Sequence, residues 1–405
     1  MKLLFFSHYF TPESNAPALR THEHCCHWVK LGAEVTVITC APNCPDGKVY
    51  KNYKNKLFQK ETIDGIKVIR IWTFLAANKG FIKRVINFIS YMFMALFVAI
   101  FYCRKVDIII ATSPQFFCGW AGVLFKWIKR KPLILEIRDI WPESILAVGA
   151  LKRNFIFKFL EKLEVIMYKS ANKIITVGNG YKKEIKNKGI KSEKIAVILN
   201  GIDKNFLNLE KNNLFFNDFI KNSQDKFICS YIGTVGMAHG LQILLDTAII
   251  ARDNGQDDII FAIVGAGAEL QNLKDKAKKM KLKNIIFTDR INRKHIPSAI
   301  ESSNAVLVHL KSNNLFKTVI PSKIFEIMAL EKPILMGVSG EALDIVEDAN
   351  AGIHIKPESA KSLLAGINEL RKNPSKYIAD KKVVSQKFSR ESSAEKMYNI
   401  MGDFL

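Results

Sequence analysis

The chain has 405 residues, 48% hydrophobic and 24% charged, enough for two domains with full cores; this excludes a disordered chain and a disulfide-held miniprotein. Its seven cysteines are odd in number, include the adjacent pair Cys25–Cys26 and form no CxxC, so a reducing compartment fits better than a disulfide framework or a zinc ribbon. The net charge of +22 is unevenly spread: residues 1–205 hold 33 Lys and Arg against 15 Asp and Glu, or +18, while residues 206–405 hold 27 against 23, or +4.

From the N-terminus, KLLFFS (2–7) predicts a strand, and the apolar run after Met1-Lys2 is too short for a signal peptide, so a cytoplasmic location is expected. His8 and the loop Thr11–Pro17 come next, where a sheet presents ligand-facing residues; Asn15, Ala16 and Arg20 are candidate acceptor contacts. THEHCCHW (21–28) holds His22 and Cys26 one helical turn apart and could bind zinc. Its other potential ligands fall on different helix faces, so no metal is expected. AEVTVITC (33–40) and IKVIRIW (66–72) continue the strands.

VINFISYMFMALFVAIFYC (85–103) would make a helix of roughly 28 Å, close to one hydrocarbon thickness. A crossing would put strands of one sheet on opposite sides of a bilayer. The helix must therefore be buried in the domain or lie in the membrane interface, with Lys83, Arg84, Arg104 and Lys105 placed to reach phosphate groups. VDIIIAT (106–112), LILEIRD (133–139), KIITVG (173–178) and IAVILN (195–200) complete the first set of strands. Arg138 and Asp139 close one of them. Either Asp139 caps the turn before Trp141-Pro142 while Arg138 pairs with Glu136 or Glu143, or Asp139 orients or deprotonates an acceptor hydroxyl while Arg138 contacts phosphate; His8 joins them as a candidate catalytic residue.

Residues 201–226, rich in Asn and Lys, are expected to connect the domains. FICSYIG (227–233), IIFAIVG (259–265), NIIFTD (284–289), NAVLVHL (304–310), PILMGV (333–338) and AGIHIK (351–356) form a second set of strands, and 373–405 is helical in pattern. The alternation predicts an α/β chain of two doubly wound Rossmann-like domains facing across a cleft: 1–205 acceptor-binding and membrane-facing, 206–385 nucleotide-sugar-binding, and a helix at 386–405 returning toward the first. Three segments suit a nucleotide diphosphate. Gly233, Thr234 and Gly236 lead to His239 at a helix start, Gly265 and Gly267 form a GxG, and Pro321, Ser322 and Lys323 open a helix with Glu326 one turn on. The competing role for Ser322 is a plain N-cap.

HYFTPESNAPALR, EIRDIWPES, VILNGID, YIGTVGMAHGLQILLDTA, IVGAGAELQNL and PSKIFEIMALEKPIL together resemble the family 4 glycosyltransferases of the GT-B fold. RDIWPES with PSKIFE is similar in particular to the bacterial fucosamine (6-deoxy-aminosugar) transferases of surface-polysaccharide assembly. The resemblance implies that Glu326 accepts hydrogen bonds from ribose hydroxyls. Where the family has a second glutamate eight residues earlier this chain has Thr318, so backbone around Phe316–Ser322 must replace that contact to the donor sugar. Where many members have Arg-Lys, it has Ala238-His239, leaving Lys323, Arg290, Arg293, helix dipoles and His239 to meet the phosphates.

The implied activity is metal-independent retaining transfer from a UDP-type nucleotide sugar, with an N-acetylated 6-deoxy-aminosugar as the donor sugar, to a polyprenyl-diphosphate-linked glycan, with no cofactor. No DxD clamp is present. The basic first half and the 85–103 helix fit a peripheral or monotopic protein on the anionic cytoplasmic face of the inner membrane. A soluble sugar-nucleotide epimerase or phosphorylase of the same architecture is the alternative. No RNP pattern, zinc finger or P-loop supports a nucleic-acid partner.

Overall fold

The computed structural model describes residues 1–77, 81–113, 115–147, 153–207, 209 and 225–405. They divide into two compact units, Met1–Leu199 with Arg390–Leu405, and Asn200–Ser389. Most of the expected connection at 201–226 lies outside the described residues. Within it Ile202 forms a bridge with Ser389, so the second unit begins before the boundary expected at 205 and runs past the one expected at 385.

The first unit comprises β1 (Lys2–Phe6), α1 (Ala16–Lys30), β2 (Glu34–Cys40), β3 (Phe58–Ile63), β4 (Ile66–Ile71), α2 (Phe81–Tyr102), β5 (Ile108–Thr112), α3 (Phe116–Lys129), β6 (Leu133–Ile137), α4 (Glu143–Ala147), α5 (Phe155–Ser170), β7 (Lys173–Thr176), α6 (Asn179–Asn187) and β8 (Ile195–Val197). The strands lie in the order β3-β4-β2-β1-β5-β6-β7-β8, parallel except for the β3–β4 hairpin. Strand β3 was not expected. Its sequence FQKETI is only partly buried, as an edge strand can be, and Asp64-Gly65, both at positive φ, form the two-residue turn into β4.

β1 pairs directly with β5, so strands on either side of α2 in the sequence share one sheet and α2 does not separate them. The helix has two faces. Phe88, Tyr91, Ala95, Val98 and Ala99 are buried against the sheet, while Phe93 and Phe97 are 60% and 56% exposed. A core stripe thus lies on one side of α2 and an uncovered apolar stripe on the other. α3 packs against both α2 and α5 in the same layer. It adds exposed Trp127 and Ile128, and α5 adds Phe155, Ile156 and Phe159, which the sequence reading did not single out.

The second unit contains α7 (Lys204–Leu207), β9 (Phe227–Ile232), α8 (Gln242–Asp253), β10 (Ile259–Val264), α9 (Leu270–Lys279), β11 (Ile285–Thr288), α10 (Ile296–Glu301), β12 (Ala305–His309), α11 (Lys323–Ala329), β13 (Ile334–Gly337), α12 (Glu341–Asp348), β14 (Gly352–His354), α13 (Ala360–Lys372) and α14 (Lys381–Lys387). Its parallel sheet runs β11-β10-β9-β12-β13-β14. The expected helical tail breaks: α15 (Arg390–Gly402) belongs to the first unit, where Ala394, Met397 and Met401 join the core of Phe5, Trp28 and Ile110. Strand order reverses between β1 and β5 in one sheet and between β9 and β12 in the other, and such points carry ligand sites at their carboxyl ends.

Candidate active site

At the reversal point of the second unit, two loops press backbone against backbone. Val235 N–H donates to Ala266 O at 3.0 Å, and a Cβ on Gly265 (φ 145) would lie 1.9 Å from Gly233 O, so no larger residue fits there. A Cβ on Gly267 would lie 2.2 Å from Val235 O. Gly236 precedes a short 3-10 turn at Met237–His239, and Thr234 is exposed at the loop tip with its carbonyl accepting the Tyr231 hydroxyl at 2.7 Å.

Lys323 reaches from the first turn of α11 into this loop pair. Its Nζ donates to Ile232 O at 2.8 Å and sits 4.0 Å from the Tyr231 ring centroid, and a Cβ on Gly233 would meet it at 2.6 Å. Burial lowers its pKa from 10.5 to about 8, partly opposed by Glu326. It is therefore a cation held at the carboxyl end of β9, its ammonium bonded to a backbone carbonyl and lying over an aromatic ring. One turn on, Glu326 lies 3.8 Å from Arg293, which stands equally 3.8 Å from Asp203 and stacks on Phe206 at 5.5 Å. Pro321 and Ser322 precede α11 as expected, but Ser322 is in the helical region and makes no side-chain cap bond, so the N-cap role is not the one it plays.

His239 is the residue whose chemistry differs most from expectation. Burial, then Lys323, lowers its pKa to about 4, so it is neutral near pH 7 and can offer phosphate a hydrogen bond but no charge. Arg290 is exposed after β11. Thr318 turns its hydroxyl back to Leu315 O at 2.7 Å, and Phe316 is buried, so neither side chain replaces the family's missing carboxylate. Arg293 was expected to meet phosphate, and it stands between Asp203 and Glu326; Asp203, within VILNGID, was not anticipated, because it lies 90 positions from Arg293 in sequence.

The reversal point of the first unit is built on buried Glu136. It accepts from Arg20 Nη2 at 3.2 Å and from Thr112 Oγ1 at 2.5 Å, and it pairs with Arg138. Burial alone would raise this carboxyl, but the guanidiniums of Arg138 and Arg20 outweigh it and hold the pKa well below the usual range. Arg138 thus makes the ion pair that was its structural alternative. Arg20 comes from α1, whose N-cap is Asn15, with Oδ1 accepting Ala18 N–H at 2.9 Å; Ala16 is exposed at the helix start. Among the described residues, Asp139 makes no carboxylate bond that caps the turn before Trp141-Pro142. Its own N–H donates to Ser113 Oγ at 3.3 Å, and burial raises its pKa to about 6, with Arg20 opposing. His8 is buried, Nε2 facing Asn87 Oδ1 of α2 at 2.8 Å, and burial lowers its pKa to about 4. It is a neutral imidazole engaged by the core rather than presented at a surface.

A sequence model for "Glycosyl transferases group 1" matches residues 214–386, and one for "Glycosyltransferase Family 4" matches 18–206. The "Putative colanic acid biosynthesis glycosyl transferase WcaI" of Escherichia coli (strain K12) is 23% identical over 98% of this chain and 99% of its own length. The "Probable glycosyltransferase WbjE" of Pseudomonas aeruginosa is 23% identical over 72% of this chain and 74% of its own. In structure, Anabaena Alr3699/HepE in complex with UDP and glucose superposes with a TM-score of 0.72 at 16% identity, covering 99% of each chain, which shows the fold. Two Rossmann-like units, with family matches spanning both, place this chain among the family 4, group 1 glycosyltransferases of GT-B fold.

Proposed function

We propose that the enzyme moves a sugar, with retention, from a UDP-type nucleotide sugar to a polyprenyl-diphosphate-linked glycan in surface-polysaccharide assembly. The observation that carries the donor half is the pair Lys323 and Glu326 on the first turn of α11, beside the close-packed glycine loops. In this reading the Lys323 ammonium and nearby backbone N–H groups neutralise the diphosphate as it leaves, and Glu326, steadied by Arg293, accepts from the ribose hydroxyls. Retention follows the family resemblance, with the departing diphosphate drawing the acceptor proton at the front face. Asp139 orients the acceptor hydroxyl and Arg138, fixed by Glu136, lends positive charge. WcaI is named for colanic acid biosynthesis and the HepE structure holds UDP and glucose, which supports the polysaccharide and UDP assignments.

The acceptor half rests on α2. Uncovered Phe93, Phe97 and Phe101 in a half of net charge +18 suit an anionic cytoplasmic leaflet, and a soluble epimerase or phosphorylase has no use for them. The donor assignment is tested by Glu326→Ala in a nucleotide-sugar binding and transfer screen. Binding and transfer should weaken at least tenfold, about 1.4 kcal/mol, with the melting temperature retained. Wild-type turnover by the variant refutes the site.

A further inference from the structure

Helix α1 and the β3–β4 hairpin bring three soft or anionic donors together on the surface of the first unit. His22 Nε2 lies 2.8 Å from Asp64 Oδ2 and 3.4 Å from Cys26 Sγ, and the three ligand atoms all fall within 4.8 Å of one another. His22 and Cys26 share a helix face because they are one turn apart. The third donor comes from the turn before β4, far away in sequence, so a search confined to 21–28 sees only two ligands. The Phe10 and His22 rings pack edge to face, with centroids 5.7 Å apart. Asp64 is the adjustable member, its side chain 62% exposed.

We propose that His22, Cys26 and Asp64 form a zinc site, with water as the fourth ligand, that ties α1 to the β3–β4 turn. Tetrahedral zinc with bonds of about 2.0–2.3 Å separates a sulfur and a nitrogen ligand by about 3.5 Å and a nitrogen and an oxygen ligand by about 3.3 Å. The Cys26–His22 separation already matches. The His22–Asp64 separation needs to open by about half an ångström, which an exposed turn residue can supply. A thiolate and an imidazole select zinc over magnesium or calcium, and a carboxylate completes a set that zinc accepts. Asp64 precedes β4 at its amino end, whereas Arg138 and Asp139 follow β6 at its carboxyl end, so the metal braces the unit without entering the transfer step.

The rival is a plain His22–Asp64 hydrogen-bonded pair with Cys26 as a bystander. Full-length protein stripped of metal should bind one equivalent of cobalt per chain, with thiolate-to-cobalt charge-transfer absorption and tetrahedral ligand-field bands, and zinc should displace it. Zinc should raise the melting temperature of the stripped protein. Cys26→Ser should remove the charge-transfer band and the zinc-dependent melting shift, Asp64→Asn should weaken zinc at least tenfold, and Cys44→Ser should change neither. Asp64→Asn alters an exposed turn, so it tests affinity even if Cys26→Ser folds poorly. A cobalt spectrum without the thiolate band, a band that survives Cys26→Ser, or equal zinc affinity in Asp64→Asn overturns the proposal. Nucleotide-sugar binding by the stripped protein should persist, so this result stands or falls apart from the transferase reading.

Discussion

Replacing Lys323 by Met separates the cost of holding a buried charge from its use. In the free protein burial takes the lysine from 10.5 to about 8. At about 1.4 kcal/mol per pH unit, keeping the ammonium charged below pH 8 costs the folded state about 3 kcal/mol, which partial screening by water reduces to about 2. Met fills similar volume without charge. Lys323→Met should therefore melt higher than wild type at pH 7, by roughly 5 °C for a unit of this size, while losing nucleotide-diphosphate binding at least tenfold. The pH dependence gives the sign. The folded pKa is depressed, so between about 8 and 10.5 the unfolded chain holds more protons and wild-type stability gains on the variant as pH rises. The gap should be full at pH 7 and mostly closed by pH 10. Paired thermal melts across this range, with UDP binding measured by calorimetry, provide the assay. A variant that melts lower than wild type at pH 7, or a gap independent of pH, would show that Lys323 is a packed structural cation and refute the argument.

Phe93→Ser with Phe97→Ser should leave the fold intact, since both rings are more than half exposed, yet cost roughly 2 kcal/mol of salt-resistant binding to anionic liposomes, about thirtyfold by flotation; unchanged flotation would make the stripe incidental. Transfer should fall as pH drops through about 6, where Asp139 takes up a proton, and Asp139→Asn should be inactive but at least as stable at pH 7, because it removes a carboxylate whose ionisation burial disfavours. An activity profile flat from pH 5 to 7 would remove Asp139 from the acceptor step. Glu136→Gln should destabilise the first unit by about 3–5 kcal/mol, leaving two guanidiniums buried without their shared anion, and a variant melting like wild type would contradict that.

The doubly wound architecture was legible because both sheets are buried on two faces and read as unbroken apolar runs such as IIFAIV and IIIAT. FQKETI escaped for the opposite reason. It is an edge strand with one wet face, and only the Asp64-Gly65 turn announced it. At the site, glycines and Lys323 could be placed from motif order, since their role is set by backbone approach. What the sequence hid were the pairings that decide charge. Arg20 joins the Arg138–Glu136 pair from 116 residues away, and burial lowers the pKa of His8 and His239, which no spacing rule reports. The same limit applies to α2, whose uniform greasiness concealed that only one of its faces is packed.

The route of the chain through the first unit has a consequence for biosynthesis. Its sheet is laid down by residue 199, but α15, which covers Trp28 and supplies Ala394, Met397 and Met401, is translated only after the whole second unit. At ribosomal speeds of about 5–20 residues per second the second unit, continuous in sequence, can complete its fold while the first waits roughly 10–40 s with one helix missing. During that interval the nascent first half exposes an unsealed core seam as well as its basic, apolar outer layer. Truncation after Ser389 would make this interval permanent, giving chaperones and proteases a persistent substrate while sparing every residue of the second unit.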